Sequence, residues 1–163
     1  RRAKNGPLDT VEELLLVKGF TREILYGGVI NTEFSGAEPV AISGIGDLLT
    51  TFGDGLVNVN AASQRVLMTL PNVDDVYAGD IIRAREGEAD STGYKEPSPF
   101  GNVGEFVSRI PGLSPVLNKY VTVDSQIFRI TSVGNVFGVK KEISCTVKFE
   151  SKGLTILRWR EEG

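Results

Sequence analysis

A chain of 163 residues can bury one good core, or two small ones sharing an interface. With 40% hydrophobic and 24% charged residues it is not a wholly disordered chain. A formal charge of −3 gives no electrostatic reason to expect a nucleic-acid or anionic-membrane partner, local basic patches apart.

There is no His, so the side chain that most often does acid–base and metal chemistry near neutral pH is missing. The one Cys, Cys145, cannot form an internal disulfide, and its strand-like neighbours Ile143 to Val147 predict a small core hydrophobe. Either a reducing or an oxidising compartment fits that count. The longest aliphatic run, Leu14 to Val17, is far too short to span a bilayer. The start Arg1-Arg2-Ala3-Lys4, without Met, reads as a piece of a longer protein.

In chain order, Thr10-Val11-Glu12-Glu13 predicts a capping box in which Thr10 and Glu13 satisfy each other's amides, opening a helix that stops at Gly19. Thr21 is expected to cap a second short helix, Arg22 to Tyr26, closed by Gly27-Gly28. Asp47 to Phe52 reads as a short helix after Gly44-Ile45-Gly46. Asn60 is expected to cap a helix over Ala61 to Leu70, ended by Pro71. Asp74 or Asp75 starts another to about Glu86, with Val76, Tyr77, Ile81 and Ala84 on its apolar side. Gly87 to Ser98 reads as an exposed, mobile loop.

The stretch Pro99 to Val107 parallels Pro7 to Leu15, with Asn102 and Glu105 repeating the cap pair. Ile110-Pro111-Gly112-Leu113 then echoes Val17-Lys18-Gly19-Phe20, and Ser114-Pro115 opens a further helix. This predicts an internal repeat of short helices that must pack on one another.

After Tyr120 the period changes to two. Val121 to Thr131, Glu142 to Glu150 and Leu154 to Arg160 predict an antiparallel meander, with turns at Gly134-Asn135/Gly138 and Ser151-Lys152-Gly153. In the second strand Ile143, Cys145, Val147 and Phe149 define a buried face, and Ser144, Thr146 and Lys148 a wet one. Three strands make a thin sheet, so that face needs a cover, from the helices here or from one outside the chain. The unpaired sheet edge is a candidate partner surface.

No catalytic constellation is found: no Ser/His or Cys/His pair, no phosphate loop, no Cys or His metal spacing. The chain is therefore not expected to be an enzyme, and no catalytic, cofactor or metal residue is assigned. Asp74-Asp75 and Glu86/Glu88/Asp90 read as helix-start charges and a solvated loop. Calcium needs only oxygen ligands, so Asp47, Asp54 or the acidic loop stay open to it, without EF-hand spacing.

Nucleic-acid binding is the sharper alternative. Asn58-Val59-Asn60-Ala61-Ala62, a helix, Leu70-Pro71, a hairpin, and a helix carrying Arg83 and Arg85 have the outline of a helix–hairpin–helix phosphate grip. The hairpin, Asn72-Val73-Asp74-Asp75, lacks both glycines and sets carboxylates where the phosphate would lie. Gly44-Ile45-Gly46 is succeeded directly by Asp47.

Pro7 to Gly19, Asp54 to Ser63 and Ile127 to Gly134, with Leu157 to Glu161 at the end, resemble in order and spacing the K-type minor pseudopilins of type II secretion. The similarity runs from about Pro7 to Glu161. The resemblance implies an α+β fold: an inserted helical domain over 5–118, built of two related helix-hairpin-helix or SAM-like units, then an antiparallel pilin-like β-meander over 119–161. A hydrophobic N-terminal membrane helix and the first sheet residues would precede Arg1.

It implies a non-enzymatic subunit at the tip of the periplasmic pseudopilus, serving protein export across the outer membrane. The parent would be anchored in the inner membrane of a Gram-negative-type bacterium. Its partners would be the I- and J-type minor pseudopilins and the pseudopilus, with secreted substrates open and no nucleic acid. A helix-hairpin-helix DNA-binding protein of competence type is the alternative.

Overall fold

The computed structural model describes residues 5–30, 38–89 and 91–162. The fold mixes α and β: short helices, then an antiparallel meander, with two further two-stranded pairings. The chain divides into two compact units, Arg1–Gly53 and Asp54–Gly163.

In the first unit, Val11–Leu16 is a 3₁₀ helix rather than an α-helix. The expected capping box is not made. Thr10 gives no side-chain cap, and Glu13 Oε1 instead accepts from the Asp9 amide at 3.2 Å. Thr21 does cap α1 (Arg22–Tyr26), accepting from the Ile24 amide. Gly27, at φ +82°, turns the chain into β1 (Gly28–Ile30), which pairs antiparallel with β2 (Val40–Ile42). Gly46–Leu48 is a single 3₁₀ turn, shorter than the predicted helix over Asp47 to Phe52. Among the described residues of this unit Leu25 is the buried hydrophobic side chain, at 1% exposure.

In the second unit, β3 (Val57–Asn58) pairs in parallel with β4 (Val121–Thr122). Between them lie α2 (Gln64–Leu67), α3 (Asp75–Glu86), α4 (Val103–Arg109) and a 3₁₀ helix, Pro115–Lys119. Asp74 caps α3, Asn102 caps α4 and Ser114 caps the 3₁₀ helix, as their chemistry predicts. The cap of α2 is Ser63, not Asn60. One core runs through Val59, Leu67, Leu70, Val73, Ala78, Ile81, Phe100, Phe106, Ile110, Leu113, Leu117 and Val121. Val76 points outward, 66% exposed, and Ala78 takes the buried place expected of it. Phe100 and Phe106 meet edge to face at 5.2 Å between centroids, the arrangement their quadrupoles favour.

Val121, predicted to begin the meander, belongs to this core through β4. The meander itself is β5 (Ile127–Val136), β6 (Val139–Glu150) and β7 (Gly153–Glu162), in the order β5-β6-β7. Its first turn is Phe137-Gly138, both at positive φ (49° and 84°), and not Gly134-Asn135, which lie within β5. A β-bulge interrupts β7: Thr146 stands opposite Arg158 but Val147 opposite Ile156, leaving Leu157 extra.

Candidate functional site

Directly opposed residues in a sheet share a face, so the register sorts the meander's side chains into two sets. On one face lie Phe128, Ile130, Ser132 and Val136 of β5; Val139, Lys141, Ile143, Cys145, Val147 and Phe149 of β6; and Leu154, Ile156, Trp159 and Glu161 of β7, an apolar stretch with Ser132, Lys141 and Glu161 toward the turn end. The other carries Ile127, Arg129, Thr131, Val133 and Asn135 of β5, Lys140, Glu142, Ser144, Thr146, Lys148 and Glu150 of β6, and Thr155, Arg158 and Arg160 of β7, polar apart from Ile127 and Val133. The alternation read from Ile143 to Phe149 therefore sets the faces correctly.

Burial does not track the faces. Of the apolar set only Val147 is fully buried, at 1% exposure, because it is central and flanked by Phe128 and Ile156. Phe128, Ile130, Val136, Val139, Phe149, Leu154, Ile156 and Trp159 are all exposed, and Cys145 is partly so. Thr146, predicted to face water, is buried, with Arg129 and Arg158 opposite it on the two flanking strands. This is an apolar sheet face without a cover among the described residues. Phe128 and Phe149 pack edge to face across it at 5.4 Å.

The helical region offers little chemistry. Three of its hairpins share one geometry, Val17–Thr21, Leu70–Asp74 and Ile110–Ser114. In each the third residue is left-handed (Gly19 φ +91°, Asn72 +59°, Gly112 +87°) and the fourth residue's amide donates to the first carbonyl, at 3.0, 3.2 and 3.3 Å. In each the fifth residue caps the next helix. The parallel visible in the sequence covers only the first and third, because Asn replaces Gly in the second.

At that second hairpin Asp74 spends its carboxylate on the Tyr77 amide at 2.9 Å. Of the two arginines on the adjoining helix, Arg83 pairs with Asp80. Arg85 turns inward, donating to the Val59 and Ala62 carbonyls at 2.8 Å, with its Nε enclosed and unpartnered. Neither guanidinium is arranged to hold a phosphate at the hairpin. Gly44-Ile45-Gly46 is a packing device: a Cβ on Gly44 would lie 2.3 to 2.4 Å from the backbone of Leu25, Tyr26 and Gly27.

Three polar side chains that the sequence does not flag as fasteners bind the second unit. Asn60 donates to the Phe100 and Val123 carbonyls at 2.9 and 3.0 Å and accepts from the Phe100 amide at 2.9 Å. Arg85 fixes the turn before α2. Arg109 donates to Ala84 O and Ser98 O, pairs with Glu105 at 3.0 Å and lies over the Phe100 ring. The Gly101 amide, then the Arg109 guanidinium, hold the Glu105 carboxyl below its ordinary range. The Thr21 hydroxyl and its own amide do the same for Glu23.

For calcium, Asp54 accepts from the Leu56 amide in a local turn, and Glu86 faces Arg85 and Lys95 at 3.7 and 3.6 Å. Asp90 lies outside the described residues. Among the described residues no group of three acidic, Cys or His side chains could hold a metal ion, and no helix is long and apolar enough to cross a membrane. The chain matches no protein-family model, no curated protein and no solved structure.

Proposed function

We propose that this chain is a non-enzymatic assembly module, the periplasmic part of a K-type minor pseudopilin at the tip of a type II secretion pseudopilus. The observation that supports this reading is the uncovered apolar face of β5–β7. Three strands offer a strip about 10 Å wide between outer backbones, and ten residues give it a length of about 33 Å. One α-helix of about 20 residues, roughly 10 Å across and 30 Å long, has the same footprint. In the pilin-like arrangement that helix is the apolar N-terminal one, whose further reach anchors the parent in the inner membrane.

On this reading the three alike hairpins belong to related helix-hairpin-helix units kept as packing architecture, and the meander is the closing part of a pilin-like sheet. Asp74 at the hairpin and the inward turn of Arg85 speak against a competence-type DNA receptor. I- and J-type minor pseudopilins from the same genome are the expected partners, and a defined complex on size-exclusion chromatography is the expected result. Fluorescence anisotropy with duplex DNA at low salt is expected to stay flat. Tight binding whose log–log salt slope tracks several phosphate contacts would sink the assembly reading in favour of the DNA receptor.

A further inference from the structure

The hairpin joining β5 and β6 carries an unusual combination. Its two-residue turn has positive φ at both positions, a geometry that favours Asn-Gly because a side chain with a bulky Cβ substituent is strained there. Here the first position is Phe137, at φ +49°. Its side chain gains nothing from burial, being fully exposed at 104%. Val136 and Val139, which close the turn, are exposed as well. The last described residue of β7 with a partner, Glu162, stands opposite Glu142. The ribbon of β5 and β6 therefore runs three further residue pairs past that point, about 10 Å, before the turn. An isolated exposed apolar residue is ordinary, but a strained aromatic at the end of a projecting ribbon, flanked by two exposed valines, is not.

Charge supplies the second observation. Lys140 and Lys141 come directly after the tip, Lys140 in an exposed pair with Glu142 at 3.4 Å that a phosphate can replace. From Tyr120 to Glu162 the sequence holds seven basic and five acidic residues, against eleven and sixteen before it. The part bearing the hairpin is basic within an acidic protein, so an anionic surface would attract the sheet and repel the helical part.

We propose that the Val136–Val139 tip is an interfacial anchor that docks this protein on an anionic phospholipid surface. Phe137 and the two valines enter the headgroup boundary, and Lys140 and Lys141 meet the lipid phosphates. This assignment shares Val136 and Val139 with the apolar face, but it rests on the tip past the end of β7 and on its charge, not on what covers β5–β7, so either reading can fail alone.

The test is sedimentation of the full chain with phosphatidylcholine vesicles, either pure or carrying about one third phosphatidylglycerol, a composition that supplies the surface charge. Binding is expected to the anionic vesicles only, and to weaken in about 0.5 M salt as screening shortens. Phe137→Asn is expected to lower partitioning about tenfold, equivalent to about 1.4 kcal/mol, while melting no lower than the parent, because Asn suits the turn. Phe137→Trp, which keeps an interfacial aromatic, is expected to bind at least as well. Equal binding by Phe137→Asn, loss of binding by Phe137→Trp, or no preference for anionic vesicles in the parent would each overturn the proposal. Retention on immobilised polyglutamate without vesicle binding would overturn it in favour of an acidic protein partner.

Discussion

Asn60 joins three segments that are 40 and 63 residues apart in sequence, and its removal tests how the second unit is closed. In Asn60→Ala the Phe100 amide, the Phe100 carbonyl and the Val123 carbonyl lose their partners at once. Each buried polar group left unmade costs about 1–3 kcal/mol. The site is only part-buried, so water recovers a share, and about 3 kcal/mol in total is the expected loss. With a urea dependence of about 2 kcal/mol per molar, the unfolding midpoint should fall by about 1.5 M at unchanged slope. Asn60→Asp should lose at least as much, because a carboxylate accepts from the Phe100 amide but faces two carbonyls it cannot donate to. A midpoint within about 0.3 M of the parent for Asn60→Ala would refute the reasoning. It would show that the core through Phe100 and Val59 closes the unit without this clasp.

Gly112→Ala should destabilise by about 1–2 kcal/mol, since its φ is +87° and a Cβ would lie 2.5 Å from the Tyr77 hydroxyl. Tyr77→Phe in the same chain should return the steric part and leave the conformational part, as thermal melts of the single and double variants will show. Glu105 has a folded pKa below its ordinary value of 4.5, so its contribution is present above that value and disappears as the pH falls through the folded pKa. Acid titration of Glu105→Gln by circular dichroism should therefore show a shallower loss of stability below about pH 4.5 than the parent, and the two should differ most at neutral pH.

The features legible in the sequence were those decided within a few residues. Thr21, Asp74, Asn102 and Ser114 cap helices because a short polar side chain ahead of a helix reaches an amide two or three residues on. Asn60 has the same local pattern, yet it serves Phe100 and Val123, partners that nothing nearby announces. Thr10 has the same local pattern and makes no cap bond; the Glu13 carboxylate accepts from the Asp9 amide, one residue earlier than a capping box requires. The first meander turn shows the same limit. Composition favours Gly134-Asn135, but a turn there would set Phe128 opposite Lys141. The observed register sets Phe128 opposite Val147 and Ile130 opposite Cys145, and brings Phe128 to Phe149. Three apolar pairs in this ladder, Phe128–Val147, Ile130–Cys145 and Val136–Val139, with the Phe128–Phe149 contact, outweigh the strain of Phe137 at positive φ.

Alternation tells which side of a strand is apolar, and that much was legible for Ile143 to Phe149. Whether the apolar side is covered depends on the element that packs against it, which alternation does not encode. In the second unit the contiguous core ends at Val121, and beyond it only Thr146 and Val147 of the described meander residues are buried. Most of the apolar area of β5–β7 thus gains nothing from the core of its own unit, and a thin sheet so exposed is marginal alone. A strand triplet with Trp159, Ile156 and Phe149 turned to water is one whose sequence was chosen for a covered state. A helix-sized occupant is the cover we propose, on the register of β5–β7 and the exposure of Phe128, Ile130, Phe149, Leu154, Ile156 and Trp159.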